Sequence, residues 1–543
     1  MKRLLALAVL GALLAGCTQT GGAGGTSSSN AGGQPGRLRV AIQSDLKNLN
    51  PLLTSNTTDV FVSFLMFLPL LHADEKGNPV PILAAQVPTQ ENGGISKDGL
   101  TVTYHLRKGV KWSDGVPVTA KDVKWSWQAL VNKSNNVIST HGYDIVSSID
   151  TPDDYTVVCH LKRRFAPFTN SFFADSDNPY AVAPAHVLAK YPNINQIPFN
   201  NDPTVTDGPF KFVRWVHGDH IEMIANDGFY LGKPKLSSIY IRIVPDENTI
   251  INLLRTHDID WMFEASVNNY PIVKNISGVH LVWVDVNGYE DLQVNVQRPL
   301  LQDVRVRQAL AMAVDKQRIV DTSTFGQEQT AIEDQPRFMW SFNPNVKDYA
   351  HNAQAARTLL EQAGWKAGPD GIMMKNGERL TLVMVSNSSN VTRRKNAVAL
   401  QAMLREAGID LQVKFYTGDV LFAPAGEGGI LQSGKYDLSR AGWYAGVDPD
   451  DSSQLTCEQV APNGYNYSRY CNPDMEAAQK MALNNYDRPT RQKAYFRIQE
   501  LLHRDVPEIY LYYERQLQPI SDNFKGFAPN PVTESWNAWQ WSI

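Results

Sequence analysis

Four cysteines offer the most specific chemistry in this chain of 543 residues, because a thiol can be acylated, oxidised or bound to a metal. Cys17 directly follows the triplet Leu-Ala-Gly, after two basic residues and an apolar run at 4–14. That run has the proportions of a secretory signal and is too short to cross a membrane. The segment resembles the bacterial lipobox, in which the cysteine is lipidated and becomes the new N-terminus. We therefore expect residues 1–16 to be a signal peptide and Cys17 to carry a lipid anchor; an ordinary cleaved signal with an incidental cysteine is the alternative.

Cys457 and Cys471 are separated by a short stretch rich in Asn, Pro, Gly and Tyr. An extracytoplasmic compartment allows disulfides, and a bridge across such a loop would stabilise the fold by about 3 kcal/mol. We predict a disulfide between these two cysteines; a metal site is the rival interpretation, but no C-x-x-C spacing supports it. Cys159 lies in the strand-like run Thr-Val-Val-Cys-His-Leu, where we expect a buried free thiol.

The sequence contains no pattern for a catalytic nucleophile, a catalytic metal or a phosphate-binding loop. Neither G-x-S-x-G nor H-E-x-x-H nor a Walker loop occurs. The stretch His217-Gly218-Asp219-His220 could suggest nickel or haem, but it lies between two strand-like runs and indicates a hairpin turn. We therefore predict a binding protein without catalytic residues, cofactor or metal; a secreted hydrolase is the disfavoured alternative.

Composition indicates a globular body behind a flexible tether. Hydrophobic residues make up 43% and charged residues 20%, with a formal net charge of −4. No basic tract suggests nucleic acid as a partner. Residues 17–36 consist mostly of Gly, Ser, Thr, Asn and Ala, which cannot bury enough apolar surface to fold. Strand-like alternation begins at Arg37, where we expect the folded part to start.

The elements that must position any site alternate between strand-like and helical runs, which predicts a mixed α/β fold. Thr119 with Asp122 three residues later resembles a capping box and predicts a helix start. Further helices are predicted at 303–320, 352–363 and 394–407 from their apolar spacing and terminal glycines.

Five stretches in order resemble the extracytoplasmic solute-binding proteins of peptide-type ABC transporters, the large family-5 class. The first reads Leu-Arg-Lys-Gly-Val-Lys-Trp-Ser-Asp-Gly and continues to Val123, like the family signature. The five stretches lie at 106–123, 207–212, 245–260, 303–310 and 436–443.

This resemblance implies an α/β clamp of the type II periplasmic-binding-protein class, with two lobes, an additional third domain and closure at a hinge. Projected onto this chain, lobe I comprises 37–75, 205–292 and 516–543, the additional domain 76–204, and lobe III 293–515. The hinge is expected near 290–300 and 510–518. Binding would then shift the population from open to closed.

The resemblance also implies where a ligand would bind. In the oligopeptide-binding members a segment like 440–443 runs through the cleft, so Arg440 would meet a peptide carboxylate and the backbone of Gly442 and Trp443 would pair with the peptide. Tyr444 follows in the same segment. For Arg440 a structural salt bridge is the alternative interpretation.

One position departs from the peptide-binding pattern. Those members carry an aspartate three residues after the tryptophan to hold the peptide's α-ammonium, and this chain has Gly446 there. Asp448 could serve instead, although Asp-Pro-Asp-Asp is also typical of a solvated turn. What replaces the clamp stays open, and so do the length and identity of the ligand.

We therefore predict a substrate-binding lipoprotein of an ABC importer that captures short peptides and delivers them to a membrane permease. The expected location is periplasmic or cell-surface, anchored to a bacterial membrane by lipid, and the expected state is a monomer. The same fold binding an oligosaccharide or another non-peptide solute is the alternative, since Trp443, Tyr444 and Trp261 could stack on sugar rings.

Overall fold

The computed structural model describes residues 36–543 of the chain. The predicted signal peptide at 1–16, the lipidation site Cys17 and all but the last residue of the tether at 17–36 lie outside the described residues. Below, lobe I, the additional domain and lobe III denote the ranges expected from the sequence.

The strands in the described residues alternate with helices along the chain, which confirms the predicted α/β class. The strands are β1 Arg37–Ile42, β2 Leu71–Ala73, β3 Pro79–Pro81, β4 Thr101–His105, β5 Val146–Asp153, β6 Thr156–Leu161, β7 Phe210–Val216, β8 His220–Ala225, β9 Ser238–Ile243, β10 Trp261–Met262, β11 Val279–Val294, β12 Gln329–Thr330, β13 Lys366–Ala367, β14 Met373–Lys375, β15 Glu378–Arg379, β16 Thr381–Asn387, β17 Asp410–Tyr416, β18 Leu438–Tyr444 and β19 Glu508–Ser521.

The α-helices are α1 Thr57–Met66, α2 Ala120–Val131, α3 Phe168–Ser171, α4 Ala185–Leu188, α5 Glu247–Arg255, α6 Tyr270–Val273, α7 Val304–Ala313, α8 Lys316–Ser323, α9 Ala353–Gln362, α10 Val391–Glu406, α11 Gly418–Leu421, α12 Ile430–Ser433, α13 Ser452–Leu455, α14 Pro473–Asn484 and α15 Arg488–Asp505. Short 3₁₀ helices lie at Pro198–Asn200, Val267–Asn269, Pro299–Leu301, Ala425–Glu427, Cys457–Gln459 and Ala538–Gln540.

Within residues 36–543 the largest sheet has eleven strands and passes through both lobes. Its order is β17-β16-β18-β11-β19-β10-β1-β9-β8-β7, with β12 added on β19. The long antiparallel strands β11 and β19 connect the lobes, since β11 also pairs with β18 in lobe III and β19 with β10 in lobe I. Their register shifts between Asp285, which pairs with Arg515, and Tyr289, which pairs with Tyr513. This irregularity lies within the expected hinge range on β19 and just ahead of it on β11.

The buried apolar clusters also separate lobe III from lobe I and the additional domain. One buried cluster runs through lobe I and the additional domain, from Leu38 through Trp112 and Tyr143 to Trp541. A separate cluster fills lobe III, with residues from Leu292 to Tyr512. Because each half has its own core, the halves can move relative to each other with little loss of buried apolar contact.

The predicted helix at 303–320 is two helices. The side chain of Asp303 accepts a hydrogen bond from the backbone of Arg305 and begins α7. Val314 then leaves the helical conformation, with φ −90° and ψ 118°, and the side chain of Asp315 caps α8. The apolar spacing continues across this break, so it did not reveal the break. The chain turns at Asp315, the capping residue that begins the second helix.

The other predicted helices are present as α2, α9 and α10. Asp122 accepts hydrogen bonds from the backbone and hydroxyl of Thr119, at 2.8 and 3.2 Å, at the start of α2. The stretch at 217–220 forms the turn and first residue of the β7–β8 hairpin, as its flanks predicted.

Candidate ligand-binding cleft

Three adjoining cavities follow the line where the lobes meet, with volumes of about 400, 310 and 190 Å³. The first shares Glu514 and Arg515 with the second, and Thr57, Tyr444 and Gln516 with the third. Strand β19 contributes residues to all three. Together the cavities form one cleft, bounded by lobe I, the additional domain and lobe III.

Lobe III contacts lobe I on one side of this cleft and the additional domain on the other. On one side the amide of Asn268 donates to the hydroxyl of Thr392 at 3.1 Å. On the other side the backbone N–H of Val447 donates to the carbonyl of Asp175 at 3.1 Å. A ligand in the cleft would therefore lie between lobe III and the rest of the molecule.

Arg440 lies inside the sheet and not on the cleft surface. Its Nη1 contacts Glu290 and donates to the carbonyls of Asp291 and Ala441, at 3.1 and 2.7 Å. The fully buried side chain lines none of the three cavities. The structure therefore places Arg440 in a structural ion pair, the alternative that the sequence left open. A ligand carboxylate would reach it only if Glu290 moved.

Glu290 is held by two guanidinium groups. Besides Arg440, Arg393 donates to it from Nε at 3.0 Å and from Nη2 at 2.6 Å. Burial alone would raise the pKa of Glu290, but the two arginines outweigh burial and lower it. Glu290 is therefore an anion that the protein itself compensates.

Gly442 and Trp443 lie on β18, opposite Glu290 and Tyr289 of β11. A Cβ atom at Gly442 would lie 2.7 Å from Glu290 Oε1 and 3.0 Å from the carbonyl of Tyr289, so the close approach requires glycine. On its other side β18 pairs with β16 only from Leu438 to Arg440. The second edge of residues 441–444 therefore has no strand partner among residues 36–543.

The side chains of the segment differ in exposure. Trp443 is half-buried and packs near Tyr465, with ring centroids 5.5 Å apart. Tyr444 is 54% exposed and lines two of the three cavities. Trp261, the third aromatic residue considered from the sequence, is fully buried among lobe I aromatics such as Phe61. Trp261 therefore cannot stack on a sugar in this arrangement.

Gly446 is in close contact with the additional domain. A Cβ atom at this position would lie 2.5 Å from the Cα of Ser176 and 2.8 Å from the carbonyl of Asp175. A carboxylate at 446 would therefore collide with backbone, which gives a physical reason for the missing ammonium clamp.

Asp448 is bonded within the protein and is 7% exposed. Arg491 of α15 donates to both of its oxygens, at 2.5 and 2.9 Å, and Asn170 of the additional domain donates at 3.1 Å. The structure places Asp448 in a buried ion pair that fixes the loop after β18, and not in a solvated turn. Asp448 also lines a small cavity beside the cleft, together with Trp443 and His141.

Sequence reasoning missed three carboxylates that line the 400 Å³ cavity, namely Glu264, Glu328 and Glu514. Burial raises the pKa of Glu264 to about 7 and that of Glu514 to about 8, where the charge of Glu290 adds to the effect. Burial and then the charge of Glu514 raise the pKa of Glu328 well above its usual range. The only signal in the sequence was a charged residue within the aromatic and apolar run of β19.

Cys457 and Cys471 are joined by a disulfide, with their Cα atoms 4.7 Å apart. Cys159 is a buried free thiol on β6. Among residues 36–543 no cluster of three or more His, Cys, Asp or Glu side chains is arranged to hold a metal ion. Over the same residues no helix combines the length and apolar character needed to span a membrane.

Comparison with known proteins identifies the fold. The family described as bacterial extracellular solute-binding proteins, family 5 Middle, matches residues 78–463. The oligopeptide-binding protein AppA of Bacillus subtilis (strain 168) is 26% identical over 548 residues, which cover 100% of this chain and 98% of AppA.

Two solved structures show the same architecture. AppA in complex with a nonapeptide has a TM-score of 0.75 at 25% identity, covering 94% of this chain and 100% of AppA. NikZ of Campylobacter jejuni in complex with Ni(L-His) has a TM-score of 0.77 at 27% identity, covering 94% of this chain and 100% of NikZ. These likenesses confirm the predicted two-lobed α/β clamp with an additional third domain. The chain belongs to the bacterial extracellular solute-binding proteins of family 5, which are substrate-binding proteins of ABC transporters and not enzymes.

Proposed function

We propose that this protein is a lipid-anchored, extracytoplasmic peptide-binding protein that encloses short peptides in the cleft and delivers them to an ABC permease. The observation that carries the proposal is the free edge of β18 at 441–444, beside the cleft between the lobes. An extended peptide can add to such an edge through main-chain hydrogen bonds, which do not depend on its side chains. The names of the similar proteins agree, since AppA is an oligopeptide-binding protein.

In this proposal the residues of the segment 440–448 have different roles. Gly442 and Trp443 present the backbone edge, and Tyr444 contacts ligand side chains. Arg440 sets the position of Glu290, and Asp448 fixes the loop that follows. Closure at the β11–β19 irregularity would enclose the peptide, so that the permease could recognise the closed shape.

The test is to identify the ligand that accompanies the natively exported protein by mass spectrometry, followed by isothermal titration calorimetry with peptides of two to nine residues. We expect micromolar or tighter binding of at least one peptide length, and weaker binding of the same peptide with N-methylated backbone amides. Tighter binding of a chitin or cellulose oligomer than of any peptide would contradict the proposal.

A second candidate is a non-peptide solute, because the exposed ring of Tyr444 could stack on a flat or cyclic ligand. NikZ, similar in fold, was solved with Ni(L-His). We favour peptides because Trp261 is buried in the core and only Tyr444 of the three aromatic candidates is largely exposed in the cleft.

A further inference from the structure

The largest of the three cleft cavities carries three carboxyl groups that no basic side chain of the described residues pairs with. Its lining includes Glu264, Glu290, Glu328 and Glu514. Glu290 is paired with two arginines, whereas within residues 36–543 no Lys, Arg or His nitrogen lies within 4.0 Å of the other three carboxylates. A cationic group that enters the pocket favours ionisation of these carboxyl groups, whose pKa values burial raises, and pairs with the resulting charge.

Glu328 gives the second, independent observation. Its side chain lines the cavity while the residue is 8% exposed, and its Oε2 has no hydrogen-bond partner among the described residues. Oε2 of Glu514 is also without a partner there. A buried carboxylate oxygen without a donor is costly, and a charged donor from a ligand satisfies both its charge and its lone pair.

Among residues 36–543, Arg515 is the one basic residue on the cavity wall, and its guanidinium bonds to groups other than the three carboxyls. Arg515 donates from Nε to Asp285 at 2.8 Å and from Nη1 to the carbonyl of Gln327 at 3.2 Å. Its guanidinium also lies over the ring of Trp283, 5.1 Å from the centroid. Glu264 is bonded only to neutral groups, accepting from Thr57 at 2.9 Å and from Gln516 at 2.8 Å.

The donor set favours an organic cation over a metal ion, since the three carboxylates are not grouped closely enough to hold one. A cavity of about 400 Å³ is also far larger than a metal ion and has room for a long amine-bearing side chain or a chain terminus.

We propose that this cavity binds an ammonium or guanidinium group of the ligand, with Glu328 and Glu514 as its partners and Glu264 at the lobe I side. The proposal rests on the proposed peptide-binding function and names its substrate class, peptides that carry a positive charge into the cleft. It also gives a compensating group for a cationic ligand in a protein whose residue 446 is glycine. An α-ammonium and a lysine or arginine side chain share this chemistry.

Four peptides of one length separate the two sources of charge. They are an alanine peptide and the same peptide with a central lysine, each with a free and with an acetylated N-terminus, at the length that binds best. Tighter binding of the peptides with a free N-terminus would show that the α-ammonium occupies the cavity. Tighter binding of the lysine peptide within the acetylated pair would show that a side chain occupies it. Either result supports the proposal. Equal affinity for all four overturns it and leaves peptide binding standing, whereas no binding of peptides of any length refutes the proposed function itself.

Variants identify the carboxylates responsible. We expect Glu328→Gln and Glu514→Gln each to lower the affinity for the preferred cationic peptide about tenfold or more, as for loss of a charge-assisted hydrogen bond. The affinity for the neutral acetylated peptide should stay unchanged. Glu361→Gln, at an exposed carboxylate on α9, is the matched control, and this variant should bind all four peptides like the native protein. Retained affinity for the neutral peptide shows that a variant is folded; an unchanged preference for charge in both cavity variants would overturn the proposal.

Discussion

At Gly442 the strands β11 and β18 and the side chains between them leave little room for a methyl group in place of the second α-hydrogen. A methyl group would approach Glu290 Oε1 to 2.7 Å and Arg393 Nη2 to 2.9 Å. The same residue holds the backbone edge that we propose for peptide binding. Gly442 is therefore required for strand packing, and we propose that the same residue contacts the peptide backbone.

We predict that Gly442→Ala lowers the free energy of unfolding by about 1–3 kcal/mol through overpacking, and that it weakens peptide affinity about tenfold as the edge shifts. Thermal unfolding and calorimetric titration measure the two effects. The matched control is Gly426→Ala, where an added Cβ meets no atom within 4 Å. Unchanged affinity in Gly442→Ala would mean that the ligand does not use this edge.

At the scale of the elements, the loop after β18 is held to helix α15 by one buried ion pair. Asp448 and Arg491 are both nearly inaccessible, with side-chain exposures of 7% and 8%. Asn170 of the additional domain joins the same carboxylate. The pair therefore supports the loop on the lobe III side of the cleft.

We predict that Asp448→Asn lowers the free energy of unfolding by about 3–5 kcal/mol, because it leaves the buried Arg491 without its counter-ion. Any loss of affinity should be equal for a free and an N-acetylated peptide. Asp474→Asn, which breaks the exposed pair with Arg497 at 3.2 Å, is the control and should cost less than about 1 kcal/mol. A loss confined to the peptide with a free N-terminus would instead make Asp448 the ammonium clamp.

At the scale of the whole molecule, His141 connects the additional domain to lobe III. Its ring nitrogens lie 3.9 Å from Asp177 and 3.8 Å from Asp450, on opposite sides of the domain boundary. Burial alone would lower the pKa of His141, but the two carboxylates outweigh it and raise the pKa from 6.5 to about 9. The charged form therefore favours the contact between the additional domain and lobe III.

We predict that this contribution is complete below about pH 6.5 and is lost as the pH rises through about 9. Because the side chain is 39% exposed, screening limits it to about 1 kcal/mol or less. Melting temperature measured from about pH 6 to about pH 10 should therefore fall more steeply in the native protein than in His141→Gln. His280→Gln, at an exposed pair with Asp522, should follow the native profile; identical slopes in all three proteins would contradict the prediction.

We further predict that attachment to the membrane depends on Cys17. Cys17→Ser should move the protein from the membrane fraction to the soluble fraction, because lipidation requires the thiol and the tether at 17–36 has too few apolar residues to bind a bilayer. Cys159→Ser, a change at a buried thiol, is the control for cysteine loss and should stay membrane-bound. Retention of Cys17→Ser after a salt wash would show another means of attachment.

The sequence alone determined the family and the α/β class, because local patterns carry this information. It also predicted that the segment 440–448 contacts the ligand, which stays a prediction. Capping residues begin helices, glycines end them, and ordered motifs survive when most of the remaining residues change. The same reasoning failed at 303–320, where uninterrupted apolar spacing concealed a second cap at Asp315. The end of a helix depends on whether the apolar spacing or a capping residue has the stronger effect.

Only the tertiary structure decided what the residues of that segment contact. Arg440 and Asp448, for which the sequence left both a ligand contact and a structural role open, are paired with Glu290 and Arg491, residues distant in the chain. Glu264, Glu328 and Glu514 come from separate parts of the sequence and meet only because β19 passes between the lobes. Neighbours in space decide whether a carboxylate is paired with a basic group. They also set its pKa, which burial raises and a cationic partner lowers. No one-dimensional pattern specifies those neighbours, because they follow from the packing of the whole chain.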